Sequence, residues 1–188
     1  ICTAQVLLAV TASMYAVYHG PDGLRGIGRK VHFAAKTIAA ALAKLGCGIV
    51  HSAYFDTLRV KPLPKLAAAE VLKRAEAKRI NLRRFENGDL GVALDETVEA
   101  SDLADLFECF GGDSRSFDAR AAAAAQDVAF GSLARTGGYL KQPVFHRYHT
   151  EHELLRYIKR LESRDLSLTT SMISLGSCTM KLNATAEM

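Results

Sequence analysis

Apolar residues return every three or four positions from Val6 to Leu45, and that rhythm is broken once, at Gly20-Pro21. No other feature constrains the chain as strongly. Val6, Leu7, Val10, Met14, Val17 and Tyr18 fall on one face of a helix that must stop where proline removes an N–H. Leu24, Ile27, Val31, Ala35, Ile38, Leu42 and Leu45 then take up the same period in a second, longer helix. Gly46 suits the left-handed turn that follows a helix. The first residues already carry helical periodicity without a cap or an initiator methionine, so the chain is expected to begin inside a larger protein.

Beyond Gly46 the helical step is lost. Ile49, Val50, Tyr54, Phe55, Thr57 and Val60 make Gly48 to Val60 a strand candidate, interrupted by Pro62 and Pro64. An Ala-, Lys- and Glu-rich helix is predicted from about Lys65 to Lys78, then extended chain from Asn81 to Phe85. Asn87-Gly88 marks a hairpin, since both residues tolerate positive φ, with Leu90 to Leu94 as the returning strand. Ser101 can cap a helix that carries Leu103, Leu106, Phe107 and Phe110 on one side and ends at Gly111-Gly112. Helices alternating with a few strands predict a compact α/β unit over residues 1–110, with mixed or antiparallel pairing. Residues 111–143, with five alanines from Ala121 to Ala125, read as a connector. Thr150 with Glu153 fits a capping box for a helix striped by Leu154, Leu155, Ile158 and Leu161.

The totals bound the function classes. With 188 residues the chain can bury a substantial core, and 49% hydrophobic with 23% charged residues is an ordinary globular composition. The net charge of +4 is spread over several amphipathic segments, which gives nucleic-acid binding little support. No run of about 18 apolar residues lacks a charge or turn signal, so no membrane-spanning helix is expected. Cys2, Cys47, Cys109 and Cys178 form no C-x-x-C pair, which favours a reduced intracellular protein without a zinc or redox site.

Individual motifs carry less. Gly23, Gly26 and Gly28 match neither phosphate-binding glycine pattern, and a simple helix start is favoured. His146, His149 and His152 have a spacing that can hold a metal, but the predicted cap at Thr150 divides them, so surface or partly packed histidines are favoured. Arg83 and Arg84 could meet an anionic partner, although an exposed, charged hairpin face is the preferred reading. LGSCTMK combines small residues with Ser177, Cys178 and Thr179, which permits close approach and short hydrogen bonds to a ligand. Cys178 has no sequence-visible histidine base, and Lys181 lacks the burial or neighbouring cation that a Schiff-base lysine needs.

The stretches ICTAQVLLAV, MYAVYHGPDGL, FENGDLGVALDET, YHTEHELLRYIKRLESRDLSL and SMISLGSCTMKLNATAEM resemble, in order and nearly end to end, the glycine decarboxylase P-protein family, also called glycine dehydrogenase (decarboxylating). The alanine-rich connector departs from it, and Ser174 stands where many members have proline. The resemblance implies an internal fragment spanning the join of two similar halves of the fold-type-I pyridoxal phosphate architecture. Residues 1–110 are then the small α/β domain closing the first half, residues 111–143 the connector, and residues 144–188 the helical start of the second, cofactor-binding half.

The same resemblance implies that the complete enzyme decarboxylates glycine, with pyridoxal phosphate as electron sink, and passes the aminomethyl group to the lipoyl arm of H-protein. The family's Schiff-base lysine belongs to a His-Lys-Thr motif that does not occur here. Lys181 does not take its place, and Ser177, Cys178 and Thr179 are expected to border cofactor or substrate. A homodimer or paired-half assembly is expected, in the cytoplasm of a bacterium or the mitochondrial matrix of a eukaryote, with no metal, nucleic acid or membrane. The alternative reading is a non-enzymatic α/β interaction module that docks through its apolar faces.

Overall fold

The structure, a computed structural model, describes residues 5–118 and 130–165. Its described residues fall into two units, one of residues 5–24 with 137–165, the other of residues 25–118 with 130–136.

The long helical run α1 (Gln5–Leu45) is two helical stretches separated at Gly20, which has φ 61° and ψ −177°. The break falls at the Gly-Pro step that the periodicity predicts. Pro21 then opens the second stretch, where a missing N–H costs nothing. Gly46, at φ +96°, ends it.

In the second unit, α1 is followed by β1 (Gly48–Ile49), β2 (Thr57–Lys61), α2 (Ala68–Ala77), β3 (Arg83–Arg84), β4 (Leu90–Ala93) and α3 (Ala100–Cys109). The strands form one sheet in the order β1-β2-β4-β3, and every ladder is antiparallel. The single strand expected from Gly48 to Val60 is therefore two strands, separated by residues 50–56. Val50 N–H still donates to the Arg59 carbonyl at 2.9 Å, which closes the bend back onto β2.

Side chains alternate across β2 and β4, so Leu58, Val60, Leu90 and Val92 face one way and are almost wholly buried. Against them pack Ile38 and Leu42 of α1, Val71 and Ala75 of α2, and Leu103, Leu106 and Phe107 of α3, with Phe110 just beyond its end. Phe110 has no exposed surface, a burial that stabilises by about 3 kcal/mol. Helices α2 and α3 are also linked by Lys78, whose ammonium lies 2.6 Å from Asp105 Oδ1 and 3.1 Å from Glu108 Oε2. This is the α/β architecture expected, with α1, α2 and α3 on one sheet face.

Two local expectations need correction. The cap of α3 is Glu99 and not Ser101, because Asp102 reaches back to accept the Glu99 N–H at 2.8 Å and so fixes the helix start two residues earlier. In the hairpin only Gly88 has positive φ, at +87°. Gly88 N–H donates to the Phe85 carbonyl and Phe85 N–H to the Asp89 carbonyl, each at 3.0 Å, a three-residue loop ending in a glycine bulge. Asn87 contributes its side chain instead, accepting the Asp89 N–H at 3.2 Å and donating to Asp89 Oδ2 at 2.9 Å.

In the first unit, the 3₁₀ turn Pro143–His146 leads into α4 (Glu151–Glu162). Thr150 caps it as expected, accepting the Glu153 N–H at 3.4 Å, while the Glu153 carboxylate takes the Thr150 hydroxyl at 2.9 Å and not its backbone N–H. Within this unit the α4 stripe remains open, with Leu155 63% exposed. No described helix is long and apolar enough to cross a membrane.

Candidate functional site

Ser177, Cys178, Thr179 and Lys181 lie outside the described residues, as does Ser174. The structure does place the histidines, the hairpin arginines and the glycines of the α1 break.

Gly23, Gly26 and Gly28 lie within α1, in agreement with a helical and not a phosphate-cradling role. Gly20 is different. Its backbone occupies a region that is essentially restricted to glycine. A Cβ built there meets the Phe145 carbonyl oxygen at 2.6 Å and His149 Cε1 at 2.8 Å, so the chain passes too closely for any side chain.

The break at Gly20 interrupts the i→i−4 ladder, and the carbonyls beside it find partners from the 137–165 segment. His149 Nδ1 lies 2.6 Å from the Tyr18 carbonyl and Tyr139 Oη 2.7 Å from that of Pro21. A carbonyl only accepts, so Nδ1 of His149 carries the proton. Likewise His146 Nε2 donates to the Leu140 carbonyl at 3.0 Å. His146 and His149 thus each commit one ring nitrogen to backbone, and His152 sits exposed in the first turn of α4. Among the described residues no group of three or more His, Cys, Asp or Glu converges on a point.

The sheet unit offers the other arrangement. Because Leu58 and Val60 point into the core, Arg59 between them points to the opposite face, on which no described helix packs. The register puts Arg59 opposite Gly91 on β4, and Gly91 opposite Arg83 on β3. Gly91 keeps this row low. The Phe85 ring lies in the space a side chain would take, 3.2 Å from a built Cβ. Two guanidiniums rest on that ring, Arg59 at 4.3 Å and Arg83 at 4.6 Å from its centroid.

Arg59 Nε also donates to Asp89 Oδ2 at 2.7 Å. The Asn87 amide, with the Arg59 guanidinium, holds the Asp89 carboxyl below the usual carboxylate range despite its burial. Arg59, Arg83 and Phe85 wall a cleft of about 510 Å³ that His51, Thr57 and Asn81 complete. A second depression of about 490 Å³ adjoins it and adds Arg84 and Glu86.

The exposed, charged hairpin face read from Arg83 and Arg84 is therefore present, but it is only half of the feature. Arg59 and Phe85 were missed. The alternation of TLRVK points Arg59 outward, whereas nothing local shows that it meets a ring near residue 85.

A covalent cofactor needs an amine whose pKa is depressed. Asp105 and Glu108 push Lys78 the other way, above its ordinary value. Lys30 donates to the Glu96 carbonyl at 2.8 Å and Lys159 pairs with Glu162 at 2.9 Å.

The fold defines the class, a small mixed α/β unit whose antiparallel sheet is covered by helices on one face. The sequence pattern of the glycine cleavage system P-protein matches residues 1–110, and the chain belongs to this family. It is 54% identical over 188 residues to glycine dehydrogenase (decarboxylating) of Thermosynechococcus vestitus, a match covering 100% of this chain and 19% of the relative. The enzyme of the same description from Nostoc punctiforme is 54% identical over 195 residues, and that from Idiomarina loihiensis 49% over 193, each covering 100% of this chain and 20% of the relative. The chain thus spans about a fifth of the length of the curated relatives it matches.

Proposed function

We propose that these residues are a portion of a pyridoxal phosphate-dependent glycine decarboxylase, which removes carbon dioxide from glycine and transfers the aminomethyl group to lipoylated H-protein. The observation that carries the reading is identity of 54% along the whole chain to a glycine dehydrogenase (decarboxylating) over only a fifth of that relative's length. The chain's share is scaffold and one rim of the site. Small size and short hydroxyl and thiol donors suit Ser177, Cys178 and Thr179 to border the cofactor or glycine. The anchoring lysine belongs to sequence outside these 188 residues, a reading that the commitments of Lys30, Lys78 and Lys159 support.

In this proposal residues 1–110 close the first half of the enzyme, 111–143 connect, and 144–188 begin the cofactor-binding half. Two such chains or two halves assemble around the site. The compartment is the cytoplasm in a bacterium or the mitochondrial matrix in a eukaryote.

The test uses the full-length protein. Leucine at Ser177 and at Thr179 is expected to depress glycine decarboxylation at least tenfold, and unchanged kinetics remove the assignment. Borohydride treatment of the isolated 188 residues with pyridoxal phosphate is expected to give no stoichiometric adduct. A stoichiometric adduct at one lysine of this chain would place the anchor here and overturn the division.

A further inference from the structure

The open face of the sheet holds donors that the fold does not use. Arg59 donates through Nε to Asp89, and its remaining four N–H groups have no partner among the described residues. The Arg83 side chain is stacked on Phe85 and makes no ion pair or hydrogen bond among the described residues. The Asn81 amide and the His51 ring, on the wall of the same cleft, are also without described partners. Four donor-bearing side chains thus face one cavity of about 510 Å³, and apart from the Arg59 Nε–H their donors have no acceptor among the described residues.

We propose that this cleft is a carboxylate-binding site. Charge gives the sign of the ligand, since Arg59 and Arg83 line the cleft and no described acidic side chain does. Asp89, 6% exposed and bonded to Asn87 and Arg59, fixes one edge of the Arg59 guanidinium and leaves its other N–H groups to the ligand.

Geometry selects the shape. A guanidinium lying on an aromatic ring presents its N–H edge sideways as a planar fork, which a carboxylate meets with two parallel bonds. The Arg59 fork is already fixed by Asp89, so little conformational freedom is lost on binding. Phe85 and Ala93 supply an apolar surface for the carbon chain that carries the carboxylate. That carboxylate can come from a free monocarboxylic acid or from an Asp or Glu side chain of a polypeptide. The site needs no cofactor and does not rest on the decarboxylase reading.

The full-length protein tests it. Arg83 is modified with phenylglyoxal and the rate read by mass spectrometry, in acetate, pentaglutamate peptide, phosphate or chloride at equal ionic strength. Protection at least tenfold stronger in acetate assigns a free carboxylate ligand, and the same protection by the peptide alone assigns an acidic side chain. Equal protection by phosphate overturns carboxylate selectivity. Where the polypeptide supplies its own acidic side chain, Arg83 resists modification in every buffer, and R83K treated with a carbodiimide forms an amide between residue 83 and an Asp or Glu other than Glu86 and Asp89. No protection combined with no such link overturns the proposal.

Discussion

Gly20→Ala and Gly26→Ala, made separately in the full-length protein, are expected to change local stability in opposite directions. At Gly20 an L side chain must adopt φ 61° and ψ −177°, a conformation that costs about 1–3 kcal/mol. Its Cβ must also displace the Phe145 carbonyl oxygen, 2.6 Å away, and His149 Cε1, 2.8 Å away. The oxygen is backbone and cannot swing aside, so overpacking adds about 1–3 kcal/mol. Gly26 is exposed, lies within helical chain, and has nothing within 4 Å of a built Cβ. Alanine there stabilises by about 0.5–1 kcal/mol, through helix propensity and a less free unfolded chain. Native-state amide exchange around residues 14–24 reads the first change. A loss of about 2–6 kcal/mol speeds exchange by roughly 30- to 20,000-fold, as each 1.4 kcal/mol is a factor of ten. Gly26→Ala is expected to slow exchange in its own turn by a few-fold. Wild-type exchange in Gly20→Ala, or equal effects of the two substitutions, would refute the argument that this break is sterically required.

Three further outcomes follow from the sheet unit. Phe110→Ala removes a fully buried ring and is expected to cost about 3–5 kcal/mol, measured by urea unfolding. Asp89 titrates below its unfolded value of about 3.9, so it contributes stability above about pH 4 that is lost as pH falls through the lowered native value. Asp89→Asn is therefore expected to lower the unfolding midpoint at pH 7 but to shrink its further fall between pH 5 and pH 2. Desolvation pushes the buried Cys47 and Cys109 thiols above their ordinary pKa. Both should react with a thiol reagent at pH 8 at least a hundredfold faster in denaturant than in the native protein.

Periodicity made most of the helices legible, because a 3.6-residue rhythm is a local property and helix burial follows it directly. The break at Gly20-Pro21 and the stripe Leu103, Leu106, Phe107 and Phe110 both appear where the residues place them. What the sequence hid was choice among near-equal local options. Ser101 is the better intrinsic cap, yet Asp102 can only return to Glu99, and that reciprocal bond decides the start of α3. Asn87-Gly88 fits two kinds of hairpin, and the Asn87 side chain settles the matter by binding Asp89. The cleft was harder still. Alternation in TLRVK gives the direction of Arg59, but its meeting with Phe85 depends on a register between β2 and β4, which is a long-range property.

The same distinction explains the histidine run. Read locally, His146, His149 and His152 are three possible ligands at helical spacing. In the fold, His149 is paired with residue 18, whose carbonyl lies in the last turn before the break at Gly20, where the helix ladder fails. Gly20, in turn, has no room for a Cβ because His149 and the Phe145 carbonyl stand against it. Tyr139 completes the arrangement at the Pro21 carbonyl. Each residue is the physical reason for another, so YHGP and RYHT, stretches more than a hundred residues apart, form one constraint. A helix break of this kind is costly unless the carbonyls it opens are satisfied, and the 137–165 segment provides one such donor, His149, to the Tyr18 carbonyl.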